Sequence, residues 1–528
     1  MEKNKIVHLI WPPLLIYIVY LISKFAWIDN IASLANDSVH YLVMARHYSP
    51  WLSEAPANAT AWQNQDFPLL FPWLLALSGA AHSFLYAHAL VILMGLMCIY
   101  LYYLLSSRWM GKEIWIIFPI SIFALSPGFI LGLQGILSES FYLFLVLAFM
   151  LYYKPTENIS TRYILVAGFL LAAVLLTRSI GISLCLAILA QAFFSSASQK
   201  RINYLPVIIV AIALVIYLFL MEIWGPVKDS HYLDMLIPYL TGKDLYQIGT
   251  GTGHYFSIAS QLTSLFNSWT TFWIIYWRAD VFSSSYYVVT ALLLLSMTGL
   301  LIRLFKNKYD AWYVLFYLFI LLVWPHPGQM VRLLFPIIPL MLLYAGYTIS
   351  ILVCLTKIPD RKIMLSSIFY MFVLVTVLPS HVFIHARANM ASGNQMIPVY
   401  EIFRKAGVEA AYKDLVLQNQ ILKDFSHIKD YVPEDAKILY FLPSYLAVLS
   451  DRKGVAAPSP VDGRTYRQIA KENGASYIFL TRLHPRNTRP DFSGLTGAEH
   501  LRSGTEVVWC SKLSTGALTS CLYKITKP

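Results

Sequence analysis

Charge is scarce in this chain, where Asp, Glu, Lys and Arg together make up only 13% of 528 residues. A soluble domain carries about 25%. With 58% apolar residues and a mean hydropathy of +0.58, the composition implies a polytopic membrane protein. Other shortages narrow the class further. Cysteine occurs five times, and no spacing of Cys, His, Asp or Glu fits a metal site, so nothing in the sequence supports a divalent metal cofactor. The glycine-rich run GTGTGHYF (249–256), which holds His254 and follows Lys228, lacks the strand-to-helix context and the Lys-Ser/Thr of a phosphate loop. No internal repeat stands out. The net charge of +12 follows from membrane topology and anionic headgroups, without nucleic acid.

What is abundant is apolar runs of about twenty residues, long enough to cross a hydrocarbon core of roughly 30 Å as helices. About eleven spans are predicted, near 6–23, 84–105, 114–133, 137–153, 162–178, 180–195, 204–224, 286–304, 311–326, 330–353 and 363–384. The pair 162–178 and 180–195 is one apolar stretch broken only by Arg178 and Gly181. Reading it as a single span would invert everything after it. Positive charge collects in alternate loops: Lys3 and Lys5, Arg108 and Lys112, Lys154 and Arg162, Lys200 and Arg201, Arg303 with Lys306 and Lys308, and Lys357 with Arg361 and Lys362. By the positive-inside rule these loops are cytoplasmic. The expected localisation is therefore the cytoplasmic (inner) membrane, with everything after residue 385 outside. The first span has no small-residue cleavage site after it and is read as a retained anchor.

The chain divides into a membrane body (1–385), two large outer loops within it (24–83 and 225–285) and an outer region (386–528). That last region reads as a small α/β domain. VYEIFRKAGVEAAYKDLVLQNQILKDF (399–425) has helical spacing of apolar residues, KILYFLP and SYIFLTR read as buried strands flanking the helix TYRQIAKEN, and EVVWCSKLSTGALTSCLYKI reads as a hairpin. A two-residue turn at Thr515-Gly516 would place Cys510 opposite Cys521, within reach of a disulfide on an oxidising face.

Against this background NDSVHYLVMARH (36–47) is unexpected, because ionisable groups follow so soon on the apolar stretch IVHLIWPPLLIYIVYLI. Asp37, His40, Tyr41, Met44 and Tyr48 share one face of a helix, with Val39, Leu42 and Val43 on another. The pattern predicts an amphipathic helix at the outer interface. Asp37 has two readings, an N-cap or a functional carboxylate. Topology places further ionisable groups at the same face: Glu139 opening the fourth span, Arg178 between spans five and six, and Arg332 with His326 at the start of span ten. Arg278, in WIIYWRAD, joins them from the second outer loop. Such residues are costly at a membrane and mark sites or interior pairs by default. An arginine there can hold a phosphate bidentately. Snorkelling is the alternative reading for each arginine.

Several motifs then fall in order: Asp37, Ser38, Tyr41 and Ala45 in D-S-x-x-Y-x-x-x-A; DFPLLFPWLLAL (66–77); L-S-E at Glu139; L-T-R-S-I-G at Arg178; and V-R-L-L-F-P-I-I-P at Arg332. Together they resemble the GT-C superfamily of membrane glycosyltransferases, in the branch of bacterial relatives of protein O-mannosyltransferases and of the lipid A aminoarabinose transferase. The resemblance covers roughly residues 6–385. It implies transfer of a sugar from a polyprenyl-phosphate carrier to an acceptor glycan, lipid or protein on the outer face, with Asp37 as base and Arg332, aided by Arg178 and Arg278, near the carrier phosphate. Protein O-mannosyltransferases usually carry Asp-Glu where this chain has Asp37-Ser38, which argues against a protein acceptor. Asp66 is a second carboxylate near the start of DFPLLFP. Transfer of this kind needs a base and fixed positive charge for the departing phosphate, and an inverting single displacement is its simplest form. The rival class is a multi-span lipid or solute transporter, in which inverted repeats and binding residues near the midplane are expected. A third is an inactive scaffold whose outer domain binds a partner.

Overall fold

The computed structural model describes residues 15–23, 36–51, 53–62, 67–110, 117–154, 160–199, 204–225, 240, 257–274, 284–325, 329–355, 408–440, 442–456, 466–481 and 504–526. It is a polytopic helical membrane protein with a small C-terminal α/β unit. Among the described residues five helical segments are long and apolar enough to cross a membrane, and Glu139–Tyr152, Thr161–Thr177 and Tyr309–Leu322 are shorter apolar helices. The predicted span 363–384 lies outside the described residues.

The doubtful stretch is two helices. Thr161–Thr177 ends at Arg178, whose backbone is extended, and after a 3-10 turn at Ser179–Gly181 the chain resumes as Ile182–Gln199. Each has its own partner, Leu205–Trp224 for the first and Tyr309–Leu322 for the second. The first pair approaches closely because Gly168 faces Ile212, where an added Cβ would come within 2.6 Å of a methyl. Prolines break two other predicted spans. The third span is Ile117–Leu125 followed by Pro127–Gly132, with the Ser126 hydroxyl accepting from the Phe129 amide at 3.2 Å. The tenth is Met330–Leu334, a 3-10 turn at Phe335–Ile337 and Ile338–Leu355.

Helix ends sort into two groups, and the groups match the parity of the predicted spans. At one end Arg303 binds Asp310 through two hydrogen bonds of 2.7 Å, its guanidinium lies 3.7 Å from the Trp109 ring, the Tyr344 hydroxyl donates to Asp310, and Arg108 reaches the Leu151 carbonyl at 2.9 Å. Arg108 and Arg303 were expected on one side. At the other end lie Asn36–Tyr48, the start of Glu139–Tyr152, Arg178 and the start of Met330–Leu334. Aromatic side chains gather near this second group: Tyr48 donates to the Trp224 carbonyl, Trp73 meets Trp224 edge-on at 6.1 Å, and Trp51 is exposed. Such a belt suits a membrane–water boundary.

The two predicted outer loops contain helices of their own. Pro56–Trp62 and Leu70–Leu77 fold within 24–83. Within 225–285 the helix Ile258–Trp273 buries Trp269, Phe272 and Trp273, a segment too mixed in polarity to be legible as a span. In the C-terminal unit the helix Val408–Tyr431 packs on a five-stranded sheet of β1 Lys437–Tyr440, β2 Lys453–Ala456, β3 Tyr477–Thr481, β4 Thr505–Lys512 and β5 Leu518–Ile525. The order is β2-β1-β3-β5-β4, parallel among β1, β2 and β3 and antiparallel elsewhere. Cys510 lies opposite Cys521, with Cα atoms 4.2 Å apart and the sulfurs bonded. The turn differs from expectation. It is a three-residue loop closed by the Leu513 amide donating to the Ala517 carbonyl and the Gly516 amide donating to the Leu513 carbonyl, with Gly516 at φ +82° and a shift of register between Ser511 and Lys512 that brings the cysteines back into opposition.

Candidate functional site

The helix Asn36–Tyr48 is not an interfacial amphipath. Ser38, Val39, Tyr41, Leu42, Val43, Met44 and Ala45 are all buried, so it is covered on nearly every side. Leu70–Leu77 and Pro56–Trp62 pack on it from the loop, and a short helix of the C-terminal unit, Pro443–Leu449, packs on it as a second layer. Arg46 ties these layers together. Its guanidinium donates to the carbonyls of Ala81, Ala447 and Val448 at 3.2–3.4 Å and lies 3.8 Å from the Asp451 carboxylate.

At the start of that helix four ionisable side chains form one chain of contacts. The Arg332 guanidinium donates to Asp37, its Nη2 also donates to Gln329 at 3.1 Å, and its Nε lies 3.7 Å from Glu139. Glu139 in turn pairs with Arg178 at 2.6 Å. Arg178 donates to the Ser138 hydroxyl at 3.1 Å, and Ser138 shares a 2.8 Å hydrogen bond with the Tyr41 phenol. Two carboxylates and two guanidinium groups thus meet from four separate helix ends. Each is where it is for a local reason. Arg178 stands where one helix stops in extended backbone, Glu139 is the first residue of its helix, where the dipole favours a carboxylate, and Arg332 sits in the short turn before Pro336.

Burial pushes the Asp37 carboxyl up, but the adjacent Arg332 guanidinium, with smaller help from His40 and Arg178, more than offsets this and holds it below the ordinary carboxylate value. The carboxylate therefore serves as a counter-ion. His40, one turn further on, stacks on Phe67 at 5.5 Å and lies 3.3 Å from the Ser444 hydroxyl of the C-terminal unit. Tyr41 packs edge-on against Phe67 and Phe71 at 5.0 Å.

Of the residues picked out in the sequence, Asp37, Glu139, Arg178 and Arg332 come together, with His40 and Tyr41 beside them. Arg278, Asp66 and His326 lie outside the described residues. Sequence reasoning missed Ser138, Gln329 and Ser444. Ser138 and Gln329 flank motif residues, one before Glu139 and three before Arg332, and could have been found as polar neighbours; Ser444 carries no such signal. Among the described residues no three His, Cys, Asp or Glu side chains converge as metal ligands.

By sequence the chain matches no protein-family model and no curated protein. By structure it is similar to the oligosaccharyltransferase AglB from Archaeoglobus fulgidus in complex with an inhibitory peptide and a dolichol-phosphate, with a TM-score of 0.54, 13% identity, and 98% of this chain and 74% of that one covered. It is also similar to ArnT from Cupriavidus metallidurans bound to undecaprenyl phosphate, at TM-score 0.51 and 14% identity, covering 99% and 98% of the two chains. A third structure, the Archaeoglobus fulgidus oligosaccharyltransferase tethered to an acceptor peptide containing the NVT sequon, gives a TM-score of 0.50 at 11% identity, with 97% and 74% covered. These are GT-C membrane glycosyltransferases, and the present chain has their fold.

Proposed function

We propose that the chain is a membrane glycosyltransferase that moves a sugar from a polyprenyl-phosphate carrier to an acceptor hydroxyl at the outer face of the cytoplasmic membrane. The observation that carries this reading is the convergence of Asp37, Arg332, Glu139 and Arg178 at one end of the helix bundle, in a fold shared with proteins solved with dolichol-phosphate and undecaprenyl phosphate. A lipid phosphate sits at headgroup level, and these four groups lie at helix ends, near the aromatic belt. The transporter reading, which calls for binding residues near the midplane, finds no support in that placement.

The reaction follows from the residue types. The acceptor oxygen attacks the anomeric carbon and its proton passes to Asp37. As the new carbon–oxygen bond forms, the bond from the anomeric carbon to the phosphate oxygen breaks, and its electron pair stays on the phosphate. Arg332 and Arg178 supply fixed positive charge where that negative charge grows. Glu139 is held between Arg178 and Arg332, which leaves Asp37 as the carboxylate to act, as base, in a single displacement with inversion. His40 and Ser444 suit the acceptor side, since they lie where the C-terminal unit meets the site helix. A glycan or lipid acceptor fits the Asp37-Ser38 sequence better than a protein.

Mass spectrometry of envelope glycolipids and glycoproteins from cells with and without the chain tests the proposal. The expected result is one sugar residue missing from one class of acceptor. Identical glycan profiles in both cells would refute it.

A further inference from the structure

Asp37 and a carrier phosphate need the same guanidinium. We infer that Asp37 is the displaceable counter-ion of Arg332, and that the phosphate of an incoming carrier takes Arg332 from it and thereby frees the carboxylate to act as base. The inference rests on the carrier reading above and adds an order of events to it.

The charges require some such exchange. Among the described residues two guanidinium groups and two carboxylates sum to zero, so an arriving phosphate brings negative charge to a cluster whose arginines already have counter-ions. One carboxylate has to give way. Glu139 is poorly placed to do so: its side chain is 2% exposed, it holds Arg178 at 2.6 Å and it faces Arg332 Nε at 3.7 Å. Asp37 is placed to yield. Its side chain is 19% exposed, and among the described residues its carboxylate is bonded to Arg332. A change of side-chain rotamer moves a carboxylate by the length of its bond without moving the backbone, and His40 lies one turn along the same face.

Arg332 is also equipped to receive a new anion. A guanidinium has five N–H donors in a fixed fork. Nη2 serves both Asp37 and Gln329, while the buried Nε has no hydrogen-bond partner among the described residues. A phosphate can therefore take a second donor from Arg332 as Asp37 lets go of the first. Glu139 stays behind as the clamp that keeps the two like-charged guanidinium groups side by side.

The consequence is that the base is weak until the donor is seated. While paired, Asp37 is held below the ordinary carboxylate value by Arg332. Losing that partner to a phosphate raises its basicity at the moment a proton has to be taken.

Binding of undecaprenyl phosphate to the full-length protein in nanodiscs tests the exchange, comparing wild type, Asp37→Asn and Glu54→Gln, with phosphate-free undecaprenol as the second ligand. Asn is nearly isosteric with Asp but carries no charge, so its carbonyl competes for Arg332 far more weakly. Asp37→Asn should bind undecaprenyl phosphate roughly 5- to 50-fold more tightly than wild type, the usual size of coupling between linked events, with undecaprenol affinity unchanged. Glu54, which pairs with His47 at 3.0 Å further along the same loop, controls for a general loss of negative charge, and Glu54→Gln should bind like wild type. Equal or weaker binding by Asp37→Asn would overturn the exchange and leave the carrier reading intact, as would equal tightening in Glu54→Gln or tightening toward undecaprenol. Failure of the wild type and of Asp37→Asn alike to bind undecaprenyl phosphate would overturn the carrier reading and the exchange with it.

Discussion

Replacing Glu139 tests whether the two arginines are held as a pair. The carboxylate lies 2.6 Å from Arg178 and 3.7 Å from Arg332 Nε, with its side chain 2% exposed. Opposite charges at such separations attract by about 4–6 kcal/mol at an effective dielectric near 20, and desolvation takes back part of that. A net coupling of about 2–3 kcal/mol between Glu139 and Arg178 follows. Removing one partner costs more than the coupling, about 3–5 kcal/mol, because the other charge is left buried and unpaired. A double-mutant cycle of Glu139→Gln and Arg178→Gln, read by equilibrium unfolding in mixed micelles, measures this directly. Each single change should be severe and the double change little worse than either. If the single effects simply add within about 0.5 kcal/mol, the pair is not coupled and the clamp assigned to Glu139 is wrong.

Three further outcomes are expected. Asp37 titrates below its ordinary value when paired, so its ion pair stabilises the ligand-free fold above about pH 4 and is lost as pH falls through the lowered folded value. Arg332, His40 and Arg178 set that value. Because kcat/KM reports the free enzyme and kcat the complex, loss of Arg332 to phosphate should put the acid limb of kcat at higher pH than that of kcat/KM; coincident limbs would count against the exchange. Peptide mapping without reduction should show Cys510 linked to Cys521, and replacing both with Ala should cost the C-terminal unit about 3 kcal/mol for a loop of sequence separation 11; free thiols in membranes prepared with a thiol-blocking reagent would contradict this. Arg46→Ala removes hydrogen bonds to Ala81, Ala447 and Val448, each worth about 1.5–3 kcal/mol when the donor is charged. Limited proteolysis of the C-terminal region should speed up in that variant while the membrane helices stay folded, and an unchanged cleavage rate would mean that Arg46 does not hold the unit in place.

Much of this site was legible because a membrane makes ionisable residues conspicuous. Glu139, Arg178 and Arg332 stand out against apolar neighbours, and counting spans puts them at one end of the bundle. Their pairing was not legible, since Arg332 finds Asp37 across 295 residues and His40 finds Ser444 across 404, and local periodicity carries no information about such contacts. The site helix was misjudged for the same reason. Its spacing suggests one wet face, but Pro443–Leu449 lies over that face, a layer that composition cannot reveal. The short elements Pro443–Leu449 and β2 Lys453–Ala456 offered too few residues for a period to emerge. The hairpin shows the opposite case. Its cysteine pair was expected from a two-residue turn that does not form, and the pair holds because a glycine at positive φ and a compensating register shift alter the loop without moving the cysteines out of opposition.

Asp37 is proposed above as the base of a glycosyl transfer. Asn at position 37 keeps the shape and the N-cap ability of the side chain and removes its capacity to accept a proton, so transfer by purified wild-type and Asp37→Asn protein, in liposomes charged with an envelope lipid extract and read by mass spectrometry, addresses it most directly. Sugar transfer is expected from the wild type, and a rate roughly 10²–10⁴-fold lower from the variant, which stays folded but loses the stability that the Asp37–Arg332 pair contributes. Transfer by Asp37→Asn at the wild-type rate would contradict that role for Asp37.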